Sequence, residues 1–119
     1  ARAVRAARGM IRVVRDNADT FAALGLPNLR VGVGINTGEC TVGAVGAPSR
    51  LDYSAIGDVT NAAARLEAAT KDAGVPILVG AATVRLIPEE QRQELGVRHE
   101  PLVLELKGVG KVECYPVDG

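Results

Sequence analysis

The chain has 119 residues, enough for one small domain with a single core. Hydrophobic residues make up 47% of the chain and aromatic residues only 3%, so we expect an aliphatic core. The 14 basic and 14 acidic side chains balance, and no apolar run approaches the roughly 20 residues of a membrane helix. These features give no support for a nucleic-acid partner or for direct membrane contact. We expect a cytoplasmic protein, or the cytosolic domain of a larger or membrane-anchored one.

The first predicted element is a helix over residues 1 to about 24. Its apolar residues recur at steps of three and four and form one seam, namely Val4, Ala7, Ile11, Val14, Ala18 and Phe21. The arginines fall mostly on other faces and are interpreted as a solvated side, although some could instead meet acidic groups of a partner or of an upstream segment. Gly25 suits a left-handed cap and Pro27 cannot continue a helix, so we expect the helix to end there.

The next predicted element is a half-buried strand over residues 29–35. Gly32 and Gly34 leave one side of this strand bare, so another backbone or a ligand can approach it. Residues 36–38 have turn chemistry, and residues 40–45 are predicted to form a second strand that closes a hairpin. Because a strand follows rather than a helix, these glycines do not match a dinucleotide-binding loop.

The centre of the chain is predicted to be a strand over residues 51–56, a tight turn, and a helix over residues 58–72. Asp58 is a plausible N-cap, since its side chain can accept from unpaired N–H groups of the first turn. Asn61 and Arg65 lie four residues apart on one face of this helix. The buried side can be lined by Val59, Ala62, Leu66 and Ala69.

A guanidinium and a carboxamide held together near a helix N-terminus are suited to a phosphate and the sugar beside it. The same spacing is also typical of an ordinary capped surface helix with a polar stripe. The pattern of Asn61 and Arg65 alone leaves both interpretations open.

The C-terminal part of the chain is predicted to contain several short elements. They are a buried strand at 76–80, a helix at 81–86, a helical turn at 88–93, a weak edge strand at 97–100, and a hairpin of strands 102–106 and 111–117. Residues 1–119 are therefore expected to form one α+β domain, with an antiparallel or mixed sheet and helices packed on one of its faces.

Cysteine and histidine are sparse in this chain. Cys40 and Cys114, far apart in sequence, are predicted to be reduced core residues rather than a disulfide. They also lack the spacing of a metal site. His99 is the only histidine, which excludes a histidine-rich metal cluster within one chain, and we place it in a loop or at a strand edge.

The central motif resembles that of the class III nucleotidyl cyclases, the adenylate and guanylate cyclase catalytic domain. It is Tyr53-Ser54-x-Ile56-Gly57-Asp58-x-x-Asn61-x-Ala63-x-Arg65-Leu66-Glu67. Residues 31–39 before it, and Leu106-Lys107-Gly108 after it, resemble the same family in the same order. The resemblance implies a ferredoxin-like cyclase core, of which this chain would be a partial domain, the C-terminal two-thirds or so.

The resemblance implies that ATP is converted to 3′,5′-cyclic AMP and pyrophosphate, with the ribose 3′-hydroxyl attacking the α-phosphorus. By this resemblance Asn61 orients the ribose and Arg65 stabilises charge on the α-phosphate, while Lys107 contacts the terminal phosphates. Ser54 occupies the base-reading position, and the backbone of Ala55 would lie beside the base. Since serine can both donate and accept, Ser54 leaves the choice between ATP and GTP open.

The resemblance also implies two divalent ions, Mg²⁺ or Mn²⁺, held by two aspartates. In the family those aspartates precede the first helix seen here, so we expect no metal ligand in this chain. The active site would form in a homodimer, with this chain supplying Asn61, Arg65 and Lys107. The 119 residues alone are then expected to be inactive. A non-catalytic cyclase-homology domain that binds nucleotide or a partner, and a guanylate cyclase, are the alternatives.

Overall fold

A mixed four-stranded sheet lies at the centre of the fold. The computed structural model describes residues 1–27, 29–38, 41–45, 52–56 and 58–119. The helices are α1 (Arg2–Asp16), α2 (Ala18–Ala23), α3 (Asp58–Ala73), α4 (Ala81–Arg85) and α5 (Glu89–Arg92). The strands are β1 (Val33–Ile35), β2 (Thr41–Val45), β3 (Asp52–Ile56), β4 (Ile77–Gly80), β5 (Leu102–Leu106) and β6 (Gly110–Val117).

The strands pair in the order β1-β4-β6-β5, while β2 and β3 form a separate antiparallel hairpin. β1 runs parallel to β4, with Val33 opposite Ile77, and β6 runs antiparallel to both of its neighbours. The predicted mixed sheet is therefore confirmed. The predicted hairpin between residues 29–35 and 40–45 is wrong, because in the described part of the chain β2 pairs with β3 and not with β1. β1 instead pairs in parallel with β4, which requires a long crossover, here the segment that contains α3.

Helices cover both faces of this sheet rather than one, contrary to the prediction. One cluster of buried residues comprises Val4, Ala7, Ile77, Val79, Val84, Ile87, Leu95, Val97 and Val117. A second comprises Leu66, Val75, Leu78, Leu106 and Cys114. Successive side chains of a strand point to opposite faces, so β4 contributes to both clusters. A strand that is apolar throughout must be covered on both sides, here by α1 and α4 on one face and by α3 on the other.

The predicted N-terminal helix is interrupted at Asn17, which separates α1 from α2. The Asn17 Nδ2 donates to the Val13 carbonyl at 2.7 Å, and such local side-chain bonds compete with helix continuation. Gly25 then ends α2 with a φ of 86°, as predicted. The amide of Leu26 reaches back to the Phe21 carbonyl at 2.8 Å, which is the bond of a left-handed glycine cap.

The arginines of α1 lie largely on its solvated side, as interpreted from the sequence. Arg2, Arg5, Arg12 and Arg15 are exposed. Arg8 is half-buried, and its Nη1 donates to the Glu94 carbonyl at 3.0 Å. No helix within the described ranges combines the length and the apolar character needed to span a bilayer.

Two predicted strands are shorter in the structure. Regular pairing covers only Val33–Ile35 of residues 29–35, because its partner β4 begins just after Pro76, whose carbonyl accepts from the Val33 amide at 2.9 Å. The predicted strand at 97–100 is a single bridge between Val97 and Val117, and His99 beside it is exposed. Residues 46–51, Gly57, Asn28 and Cys40 lie outside the described residues, so the predictions made on them remain predictions.

Helix α3 packs against β1 at unusually short range. A Cβ on Gly34 would lie closer than 3.0 Å to the Ala63 carbonyl oxygen and to the Glu67 amide nitrogen, and a Cβ on Gly32 would meet the Thr70 hydroxyl. The prediction that another backbone can approach the bare side of this strand is confirmed. Since Ala63 and Glu67 face β1, Arg65, which lies two positions from each of them, points away from this strand and is exposed.

Cys114 is a buried free thiol in β6. Burial, and then the charge of Glu113, raise the pKa of this thiol above its usual 9.0. As pH rises through about 9, the unfolded chain releases the thiol proton while the folded chain keeps it, so the free energy of unfolding should fall. Urea unfolding from about pH 8 to about pH 10 should show a steeper loss than in Cys114→Ala. Equal slopes would contradict this.

Candidate functional site

A cavity of about 290 Å³ lies where the first turns of α3 meet the turn between β5 and β6. Its lining consists of Asn61, Ala64 and Arg65 from α3, and Lys107, Gly108 and Val109 from the turn. The fold thus brings together three of the predicted site residues, Asn61, Arg65 and Lys107. All three are exposed, so a ligand entering the cavity can reach them from solvent.

Helix α3 holds Asn61 and Arg65 outward because the adjacent stripe of the helix is buried. Ala62 is 5% exposed and Leu66 is fully buried, where Leu66 packs with Leu78 and other members of the second cluster. Residues four apart share a face of an α-helix, so Asn61 and Arg65 stand one turn apart beside this buried stripe. The helix cannot rotate these two side chains away without exposing Leu66. The buried side predicted from the sequence is confirmed.

The β5–β6 turn presents Lys107 in a defined way. The Val109 amide donates to the Leu106 carbonyl at 3.0 Å, and Gly108 has a φ of 78° at the third position, as a type II turn requires. Val109 is half-buried and packs against the cluster that contains Leu66. Leu66 is next to Arg65 in α3, so this packing places Lys107 at the same cavity as Arg65.

The charges that line the cavity suit an anion. Among the described residues of the lining, Arg65 and Lys107 are cationic and no carboxylate is present. A guanidinium can donate two parallel hydrogen bonds to phosphate oxygens, whereas the lysine acts as a point charge on a flexible stem. The carboxamide of Asn61 can both donate and accept, which suits the hydroxyls of a sugar.

Ser54 and Ala55 lie in β3, where they pair with Gly43 and Val42 of β2. Their side chains lie outside what the structure describes, as does that of Asp58, with which α3 begins. The base-reading role of Ser54, the position of Ala55 beside the base and the cap by Asp58 therefore remain predictions.

A divalent metal ion does not fit the residues of this cavity. Mg²⁺ is bound by oxygen ligands, carboxylates above all, whereas the lining carries two cations and one carboxamide. Elsewhere in the described part of the chain, no three His, Cys, Asp or Glu side chains lie close enough together to hold a metal ion.

A larger cavity of about 800 Å³ lies between α1, α2, residues 29–32 and α3. Its walls combine apolar side chains such as Ile11 and Phe21 with charged ones such as Arg15 and Glu67. It includes none of the predicted site residues. Of these two cavities we assign the site to the smaller one, because its lining combines two cations with a carboxamide.

Sequence reasoning missed a set of polar contacts behind the first turn of α3. The Asn36 Nδ2 donates to the Val59 carbonyl at 3.3 Å, and the hydroxyls of Thr37 and Thr83 share a hydrogen bond of 2.6 Å. Residues 36–38 showed only turn chemistry in the sequence. Their partners lie 23 and 46 residues further along the chain, a separation that no local pattern can indicate.

The profile of the adenylate and guanylate cyclase catalytic domain matches residues 3–119. Adenylate cyclase 1 of Rhizobium meliloti (strain 1021) is 50% identical over 62 residues, which are 52% of this chain and 9% of that protein. The chain thus spans about a tenth of this curated relative.

Solved structures show the same similarity in three dimensions. The crystal structure of the adenylyl cyclase CyaB from P. aeruginosa superimposes with a TM-score of 0.72 at 30% identity, over 93% of this chain and 54% of that one. The crystal structure of the guanylyl cyclase Cya2 gives a TM-score of 0.72 at 26% identity, over 93% of this chain and 53% of that one. The α+β core inferred from the resemblance is therefore confirmed.

Proposed function

Because this chain belongs to the adenylate and guanylate cyclase catalytic domain family, we propose that it is part of an adenylate cyclase, which converts ATP to 3′,5′-cyclic AMP and pyrophosphate. The observation that carries this proposal is the convergence of Asn61, Arg65 and Lys107 on one cavity suited to an anion. The adenylate cyclase of Rhizobium meliloti and the adenylyl cyclase CyaB support the choice of ATP.

The three residues have distinct roles in this proposal. Arg65 donates to oxygens of the α-phosphate as negative charge develops there, which lowers the barrier because the donor is already in place. Asn61 orients the ribose, so that the 3′-hydroxyl lies in line with the α-phosphorus. Lys107, on its glycine-containing turn, contacts the terminal phosphates, where loose placement is sufficient.

The proposed active site extends beyond this chain. The chain covers about half of the solved cyclases CyaB and Cya2, which supports residues 1–119 being one part of a catalytic domain. Class III cyclases generally use divalent metal ions. We propose that Mg²⁺ or Mn²⁺ is held by carboxylates outside this chain, and that a second subunit completes the site in a homodimer. The cytoplasmic location likewise remains a prediction.

The proposal can be tested by supplying the complete protein that carries this chain with ATP or GTP, together with Mg²⁺ or Mn²⁺. We expect cyclic AMP and an equal amount of pyrophosphate. Cyclic GMP instead would favour a guanylate cyclase, a candidate supported by the similarity to the guanylyl cyclase Cya2. Nucleotide binding by equilibrium dialysis without any cyclic product would favour a regulatory cyclase-homology domain.

Replacement of Lys107 should mainly affect substrate binding. A contact to the terminal phosphates is present both in the ground state and in the transition state, so its loss raises KM more than it lowers kcat. We expect Lys107→Ala to raise the KM for ATP about tenfold, the scale of one hydrogen bond to a charged group. Lys111→Ala, also exposed in the same hairpin, is the matched control. An unchanged KM with a large loss of kcat would contradict the role.

A further inference from the structure

The loop that follows β1, residues 36–38, contacts the first turn of α3 directly. The Asn36 Nδ2 donates to the Val59 carbonyl at 3.3 Å. A Cβ on Gly38 would lie closer than 3.0 Å to the Val59 side chain, so the loop backbone lies against that side chain. Val59 precedes Asn61 by two residues, less than one helical turn. Any movement of this loop is therefore passed to the turn that carries Asn61.

The loop is in turn fixed to the sheet on its other side. The Asn36 Oδ1 occupies the space where Gly80, the last residue of β4, would carry a Cβ. The Thr37 hydroxyl bonds to that of Thr83 in α4 at 2.6 Å, and Thr83 is only 7% exposed. The carboxamide of Asn36 is thus held between the end of β4 and the start of α3.

The bond from Asn36 orients the first turn of α3 and is not required for the helix to form. In an α-helix the carbonyl of residue 59 already accepts from the amide of residue 63, so Asn36 uses its second lone pair. The middle of α3 is held independently, by Leu66 in the core and by the close approach of Gly34 to Ala63 and Glu67. The first turn lies before these contacts, at the helix end where unpaired groups and fraying concentrate.

We propose that Asn36 is a positioning residue, whose carboxamide holds the first turn of α3 so that Asn61 points into the cavity it shares with Arg65 and Lys107. This inference rests on the proposed function, because it takes Asn61 to be the group that meets the ribose. Asn36 itself lies behind the helix and does not line the cavity.

The first test compares Asn36→Ala with Asn17→Ala in the complete protein. Asn17 also donates its carboxamide to a helical carbonyl, at 2.7 Å, but at the end of α1. We expect Asn36→Ala to lower kcat about tenfold, because small displacements of positioned groups are costly, with the KM for ATP changed less than about twofold. Asn17→Ala should leave both constants unchanged. Equal kcat values in the two variants would overturn the proposal.

The second test separates positioning from simple packing. Gly80→Ala should displace the Asn36 carboxamide and lower kcat, because the added methyl takes the space of Oδ1. In the double variant Asn36→Ala with Gly80→Ala, the methyl enters the space that the carboxamide leaves. The thermal midpoint should then recover while kcat stays about tenfold low, since the donor to Val59 is still missing. Recovery of kcat together with stability would overturn the positioning role.

Failure of this inference can be distinguished from failure of the proposed function. A large loss of turnover in Asn61→Ala, beside an unchanged Asn36→Ala, would overturn the role of Asn36 alone. Full turnover in Asn61→Ala would overturn the assignment of Asn61 in the proposed function, and the positioning role of Asn36 would then be overturned as well.

Discussion

We expect Arg65→Ala to lower the turnover of the complete protein by about 10²-fold or more, the usual scale for one preorganised contact to charge that develops in the transition state. The KM for ATP should change by less than about threefold, because the contact strengthens mainly as the α-phosphate gains charge. Arg65 is well placed for such a contact, since it is exposed at the cavity while its neighbour Leu66 is fully buried and fixes the helix.

Two matched variants make the measurement specific. Arg65→Lys keeps the positive charge but loses the planar fork, so we expect it to recover only part of the turnover. Arg12→Ala removes another exposed guanidinium, from α1, and should leave turnover unchanged. Steady-state kinetics with ATP over a range of concentrations would provide kcat and KM separately. Near-normal turnover in Arg65→Ala would reject the catalytic role.

Gly34→Ala is expected to destabilise the protein by about 3 kcal/mol or more, at the upper end of what overpacking costs in cores. The added Cβ would clash with the Ala63 carbonyl and with the Glu67 amide. Both are backbone groups of α3, so no side-chain rotation can relieve the clash. The helix must move away from β1, and in doing so it would shift Asn61 and Arg65 from the cavity.

A glycine elsewhere provides the control for this variant. Gly9 lies within α1, and a Cβ there would meet no atom within 4 Å. Gly9→Ala should therefore stabilise the protein by up to about 1 kcal/mol, because alanine is the better helix former. Urea unfolding would measure both changes. A Gly34→Ala variant as stable as wild type would show that α3 does not depend on its close approach to β1.

The glycines of the β1 region explain how one helix can carry the site and also belong to the core. In α3, Thr70 and Glu67 pack against Gly32, and Ala63 and Glu67 pack against Gly34. This close contact prevents the helix from rotating about its axis. The side of α3 that faces away from β1 therefore faces the β5–β6 turn. The outward stripe with Asn61 and Arg65 is thus set by small residues on a neighbouring strand.

Local patterns in the chain were enough to predict α3, its buried stripe and its end. Ala62 and Leu66 are buried while Asn61 and Arg65 are exposed, because the period of an α-helix applies whatever the helix packs on. Gly25 and Gly74 end their helices with φ values of 86° and 69°, since glycine adopts this conformation without strain. The family resemblance, carried by short motifs, was likewise evident in the residues alone.

Partners distant in sequence were beyond such patterns. Neither the pairing of β1 with β4 nor the approach of Lys107 to Arg65 has a local cause, because both follow from how the whole chain buries its apolar faces. The bond from Asn36 to Val59 is a further case, since a turn-forming asparagine looks the same in sequence whether or not a helix packs behind it. Helical periodicity, a local property of the sequence, thus placed Asn61 and Arg65 on one side of α3. Only the packing of the whole chain placed Lys107 across the cavity from them, because the burial of apolar surface is non-directional and leaves no local pattern in the sequence.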